Sequence, residues 1–550
     1  MKKYLVIAAL ILVISSILLA GCSSSSTSTT TSSTQPTTSS PPTTSSPTAA
    51  TSTTSPKPTT STPTAPTPKS GGTLRYGESL WYGATLGWPG DPGWLVSAPV
   101  MPVFADTILT VDTKAKIGPN LATKWEVAPD LKSITLTLRQ GVKFHDGSDW
   151  NAQVLKWNLD LLVTPKYGDY AYVSSVDVVD PYTVRLNLSQ YSNSLLTTIG
   201  STFVVSQKAY IDHGANKDAE TWMRANIVGT GPYKMVAATP NVSIEGTRFD
   251  DYWAGKPYLD KIVMTRIADD MTRAQALQAG EIDIAGGNPG KIEADLLAAN
   301  KNFKIQSDYI SISALIPDSK NPNSPLANPK VRQAISLAMD REAIVKSLGY
   351  GFWTPTSQFA VPGTAAYNPA LPEIKQDLVK AKQLLAEAGY ANGFTIPLLG
   401  STVTTFKDMV VAEQGMLAKI GITMNINLID HPQYNTAIQK GWEGFAAAGK
   451  LIDANMGWAL GTNFSQKVLG QASMDKTDEL QALIEGALAA KDYDVNLIYK
   501  VLKYLYDNTS VICLNATMRG QPMANYVMDP GFYTWDRATF WNPAKTWLNK

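Results

Sequence analysis

From Ser23 to Ser70 the chain holds no aromatic and no branched aliphatic residue, and this stretch decides where folding can begin. It is Ser, Thr and Pro, relieved by Gln35, three Ala and two Lys. With nothing to bury, it cannot offset the entropy of ordering a backbone, and it reads as a disordered, extended tether. Its 48 residues would reach on the order of 40 Å as flexible coil and nearer 150 Å as polyproline II. Any core must come from residues 71–550. That span exceeds what one hydrophobic core organises, so two to four folded units are expected.

The segment before the tether is an address. Lys2 and Lys3 precede an apolar run from Tyr4 to Ala20, closed by Leu19-Ala20-Gly21-Cys22. This resembles the bacterial lipoprotein signal, which implies cleavage after Gly21 and a lipid on Cys22. The alternative is a plain signal peptide or a single anchor, for which the run is short of the roughly 20 residues a span needs. Once Cys22 is acylated, Cys513 is the one thiol left in the body, and it reads as a small buried hydrophobe.

Past Gly71-Gly72 the pattern is mixed α/β. Thr73–Tyr76 is a strand candidate. Ile134, Leu136 and Leu138 alternate, as do Val184, Leu186 and Leu188 after the turn Asp180-Pro181. Ser148 or Asp149 is expected to cap a helix running to about Leu162. Asn328-Pro329 opens another helix, with Val331, Ile335 and Met339 on one face. Leu378, Ala381, Leu385 and Ala388 keep helical spacing before Gly389. Val410, Leu417 and Ile420 do so before Gly421, and Ile422, Met424, Ile426 and Leu428 then alternate as a strand. Helix, glycine turn and strand in succession are α/β building blocks.

Charge and motif remove several function classes. Without the four lysines of the first 70 residues, 43 basic residues face 46 acidic ones, which gives no footprint for nucleic acid. No Gly-x-Ser-x-Gly elbow, His-Glu-x-x-His or phosphate loop is present. His145, His213 and His431 lie too far apart for an i/i+4 ligand pair and read as surface or turn residues, so no metal and no cofactor is expected. The body instead holds an excess of aromatic residues in glycine-rich loops: Trp81, Tyr82, Trp88, Trp94, Trp353, Trp442 and Trp458. Any one of them can be inter-domain core. Together they read as the lining of a cleft, where stiff amphipathic rings contact a ligand at small entropic cost.

Several blocks occur in the order found in one family. They are Gly71-Gly72-Thr73-Leu74-Arg75-Tyr76-Gly77, Leu121–Val127, Leu136 to Gly147, Val228-Gly229-Thr230-Gly231-Pro232-Tyr233 and Asp251 to Asp260. Gln278–Asp283, Val331–Ile335 with Met339-Asp340-Arg341, Lys380 to Tyr390 and Leu417–Ile422 follow. The series resembles family 5 extracellular solute-binding proteins, the peptide, nickel and opine class that feeds ABC importers. The resemblance implies a two-lobed periplasmic-binding-protein-like α/β fold with a subdomain inserted in the first lobe. Lobe I would comprise 71–115, 225–310 and 511–550, the insert 116–224, and lobe II 311–510.

What the resemblance implies for function is a monomeric, lipid-anchored receptor on the outer face of the membrane, not an enzyme. It would close on a small peptide or similar organic solute and deliver it to the membrane subunits of an ABC importer. A secreted hydrolase on the same tether and a surface adhesin are the alternatives. The expected ligand-binding residues are Trp81, Tyr82, Trp88, Trp94, Trp353, Asp453 and Trp458. Peptide-binding members carry an Asp that pairs with the peptide amine, in a Gly-Trp loop ending in an Asp-Pro turn. Here that region reads Gly449-Lys450-Leu451-Ile452-Asp453-Ala454-Asn455-Met456-Gly457-Trp458, without the Asp-Pro turn, and Asp453 takes the role only with a shift in register.

Overall fold

A computed structural model describes residues 66–78, 86–91, 99–287, 295, 300–402, 407–535 and 538–550. Cys22, residues 23–65 of the tether, Trp81, Tyr82 and Trp94 lie outside the described residues.

Two long strands, Phe303–Pro317 and Ile512–Ala524, pair antiparallel along nearly their whole length and form the spine of an 11-stranded sheet. On one side, Ile284–Gly286 joins the second of them, and Thr73–Glu78 runs parallel to both Ile284–Gly286 and Lys261–Arg266. Ser243–Arg248 and Tyr233–Thr239 complete that half as antiparallel strands. On the other side, Phe445–Leu451 pairs with the first long strand and runs parallel to Phe394–Ser401, which is parallel to Ile422–Ile429. Alternation along the second half puts Ala446, Ala448, Ile312 and Ala314 in a core on one face. Phe445, Ala447 and Leu315 enter a separate core on the other. The half that holds the first strand has its own core around Leu74, Tyr76, Phe104 and Met264.

A smaller antiparallel sheet is set apart from this one. Its order is Ala122–Val127, Ser133–Leu138, Thr183–Leu188, Val173–Asp180. Ile134, Leu136, Val184 and Leu186 are fully buried beneath the helix Ala152–Val163. That helix is capped by Asn151, whose Oδ1 accepts the N–H groups of Gln153 (3.0 Å) and Val154 (3.1 Å). The expected caps, Ser148 and Asp149, are used one turn earlier. Ser148 Oγ donates to Asp146 (2.6 Å), and Asp149 pairs with Lys143 (2.6 Å), which closes a hairpin that returns Trp150 to the core.

Other local features follow the sequence closely. Asn328 Oδ1 accepts the Lys330 N–H at 3.0 Å and starts Pro329–Ala338. Gly421, at φ +88°, turns Lys407–Ala418 into the strand from Ile422. A Cβ on Gly229 or Gly231 would lie 2.2–2.4 Å from the backbone of Phe104, so these glycines permit a close approach of two chain segments. Cys513 is buried, and burial pushes its thiol up to about 12. His145 is a turn residue with a half-buried ring. Its Nε2 donates to Gly231 O at 2.9 Å, and burial lowers its pKa to about 4.

Candidate functional site

Register along the spine locates a crevice. Ile284–Gly286 runs toward the middle of the spine, reaching the bridge Gly287–Gly520, and Gly520 pairs with Ser307. Phe445–Leu451 runs toward the middle from the other end, where Leu451 pairs with Ser311. The carboxyl ends of the parallel strands therefore converge from both halves on a gap from Ser307 to Ser311, about 13 Å of strand. Open α/β sheets bind ligands in the crevice at such strand ends.

The floor and walls of this gap are polar. Ser311 Oγ and Thr517 Oγ1 are hydrogen-bonded at 2.5 Å, and Tyr309 Oη and Thr354 Oγ1 at 2.6 Å. At the end of the first strand, Glu78 accepts from Arg519 Nη2 at 3.1 Å, with both side chains buried. Tyr76 Oη donates to Gln521 Oε1 at 2.9 Å beside them. From the opposite wall come Lys450, Ile452 and Asp453; the Ile452 N–H donates to Ile310 O at 3.2 Å. Asp453 is buried, and its Oδ1 accepts the Asn455 N–H at 2.7 Å in an Asx turn. Asn455 Oδ1 then caps Met456–Phe464 through the Trp458 N–H at 3.3 Å.

The segment around Asn193 packs against this wall. Asn455 Nδ2 donates to Asn193 Oδ1 (3.2 Å) and Thr197 Oγ1 (3.3 Å). Asn193 Nδ2 donates to the carbonyls of Ala487 (2.8 Å) and Ala490 (3.2 Å), and its N–H to Leu488 O (2.8 Å). Tyr191 Oη donates to Lys491 O at 2.6 Å. These carbonyls cluster at the C-terminal end of the helix Asp478–Ala489, where the last carbonyls have no intrahelical N–H donors. The same seam encloses a cavity of about 420 Å³ between Asp169, Tyr172 and Ser194 on one side and Trp458, Lys467 and Glu485 on the other.

The expected site residues separate. Asp453 and Trp458 come together around Asn455, and Trp458 lines the seam cavity. Trp353 pairs through its backbone with Thr517 at the edge of the gap, but its ring packs in the core on the face opposite to that of Trp458. Trp88 is a packing residue: it is buried with Val205 and Met223, its ring stacked on Tyr210 at 5.3 Å and edge-on to Trp157 at 6.4 Å. Its glycine-rich neighbours gave a loop signal, whereas its partners lie more than 60 residues away. Asn193, Asn455 and Lys450 were missed. Lys450 alone left a sequence signal, as a cation ending the run Phe445-Ala446-Ala447-Ala448-Gly449. Among the described residues no three His, Cys, Asp or Glu gather as a metal site.

Comparison with known proteins gives consistent matches. The family model described as bacterial extracellular solute-binding proteins, family 5 Middle, matches residues 116–466. The glutathione-binding protein GsiB of Salmonella typhi is 32% identical over 400 residues, covering 69% of this chain and 75% of its own. Its counterpart in Escherichia coli O157:H7 is 30% identical over the same coverage. Among solved structures, the ABC transporter-associated periplasmic binding protein DppA from Helicobacter pylori, in complex with the peptide STSA, matches at TM-score 0.71 and 25% identity. It covers 88% of this chain and 99% of that one. The periplasmic binding protein AgaA of A. tumefaciens R10, in complex with agropinic acid, matches at TM-score 0.68 and 26% identity, with 87% and 99% covered.

Proposed function

Because the chain belongs to family 5 of the bacterial extracellular solute-binding proteins, we propose that it captures a peptide or similar organic solute between two lobes and delivers it to an ABC importer. The observation that carries this reading is the convergence of strand ends from both halves of the sheet on one polar gap in a two-strand spine. Solute held in that gap contacts both walls only when they approach, so binding stabilises the closed arrangement by its extra contacts. We assign lobe I to 71–115, 225–310 and 511–550, the insert to 116–224 and lobe II to 311–510.

The relatives favour a peptide-like solute: glutathione in GsiB by name, the peptide STSA in DppA. Asp453 is the proposed partner of a solute amine, since a buried carboxylate at the strand end favours a cation. Cys22 carries the lipid, the Ser/Thr/Pro tether gives reach, and a monomer on the outer face of the membrane presents the closed form to the importer. Mass spectrometry of solute released on denaturing the freshly purified protein tests the reading. A peptide, followed by saturable binding of its synthetic copy, is the expected result; release of a non-peptide solute removes the peptide assignment.

A further inference from the structure

Lys450 sits one residue before the end of its strand, paired with Ile312 and next to the gap in the spine. It is 93% buried, since only 7% of its surface is accessible. By strand alternation its side chain shares the face of Ala446 and Ala448, the face on which Tyr309 and the helix Met456–Phe464 also pack. Among the described residues its ammonium has no hydrogen-bond acceptor and no carboxylate in ion-pair range. The one charged side chain that acts on it is another cation, Lys476. Lys476 is itself held by the carbonyls of Ser465 (3.0 Å), Val468 (3.0 Å) and Gly470 (2.7 Å), so it has a structural role that Lys450 lacks. Burial, and after it the nearby Lys476, lowers the pKa of Lys450 to about 7, so the amine is held fully charged only where something else supplies an anion.

We propose that Lys450 receives a carboxylate of the bound solute and makes this a receptor selective for acidic over neutral solutes. The inference rests on the solute-binding reading above and adds the charge that the solute must carry. A carboxylate entering the gap draws the buried amine into its ammonium form and makes a charge-assisted pair shielded from water. Without the carboxylate the buried amine has no acceptor and pays either for its charge or for giving up its proton. Selectivity of this kind comes from the penalty on the wrong ligand as much as from the contact with the right one.

The test uses native mass spectrometry of the purified protein with two peptide pools. One holds tri- and tetrapeptides as free acids; the other holds the same peptides with every carboxylate replaced by a carboxamide. The wild type is expected to retain acids over amides by about tenfold to a hundredfold. Lys450→Met and Lys450→Gln should lose that preference while melting no lower than the wild type, because a buried amine without an acceptor has been removed. Equal retention of both pools by the wild type, or an undiminished acid preference in a folded variant, overturns the assignment. If neither pool is retained, the peptide reading falls, and Lys450 is judged with sugar acids and dicarboxylic acids against the corresponding neutral sugars and diamides. Acid retention that disappears in the variants then sustains the inference; retention of neutral compounds alone, or of nothing, overturns it.

Discussion

Asn193 is the residue whose removal should most selectively disturb closure. Its side chain is buried and makes three hydrogen bonds across the seam: two donated to Ala487 O and Ala490 O, one accepted from Asn455 Nδ2. In Asn193→Ala the helix-end carbonyls lose their donors in the closed form, while Asn455 Nδ2 keeps Thr197. At roughly 1 kcal/mol net per bond, the closed state loses about 2–3 kcal/mol relative to an open state in which water satisfies the same groups. If solute binds through closure, that cost appears in the measured affinity, a weakening of about 30- to 150-fold. Isothermal titration with the co-purified solute measures it, and small-angle scattering reports whether saturating solute still compacts the variant. The solute-free variant should melt close to the wild type. Wild-type affinity in Asn193→Ala, with unchanged compaction, would show that the seam contributes nothing to capture.

Three further outcomes are expected. Asp453→Asn should weaken a peptide with a free amine about tenfold to a hundredfold, N-acetylation should cost the wild type a similar amount, and the two losses should not add; additive losses would leave Asp453 structural. Cys22→Ser should move the protein from the membrane fraction to the medium or periplasm, and continued membrane association without lipid mass on Cys22 would refute the anchor. Half-buried His145 is held in its neutral form with a pKa near 4, below the unfolded value of about 6.5, so its contribution is full above pH 6.5 and is lost as pH falls toward 4. Replacing it by Gln should flatten the urea-unfolding stability between those pH values by up to about 3 kcal/mol, and an unchanged slope would count against this.

What could be read in the sequence were features set by neighbours a few residues away. The alternations at Ile134–Leu138 and Ile422–Leu428 follow from which side chains share a strand face. The Asn328 cap and the Gly421 turn need only their own backbone. The Asn151 cap was misplaced for a local reason too, since Asp146, Ser148 and Asp149 compete for the same turn. The seam is different in kind. Asn193 and Asn455 are 262 residues apart, and each alone looks like an ordinary turn or cap residue. Trp88 shows the reverse error: glycine-rich surroundings resemble a cleft loop, yet Trp157 and Tyr210 arrive from distant helices to bury it.

Lys450 and Asp453 bring the argument about specificity to one strand end. Opposite charges three residues apart could neutralise one another, yet no ion pair joins them, and Asp453 is turned onto the Asn455 N–H. A direct pair would make the wall self-sufficient and leave little electrostatic reason to bind. Lys450, which has no acceptor among the described residues, keeps a demand that a solute anion can meet, while Asp453 places a carboxylate near the same strand end. Three residues of extended chain span about 10 Å, which is the order of the separation between the amine and carboxylate of a short peptide. A solute without a carboxylate leaves Lys450 with no anion, so discrimination arises from the pairing that such a solute fails to make. On the proposed reading, the altered loop, with a lysine in its strand and no Asp-Pro turn, is the wall at which the solute's charge is read.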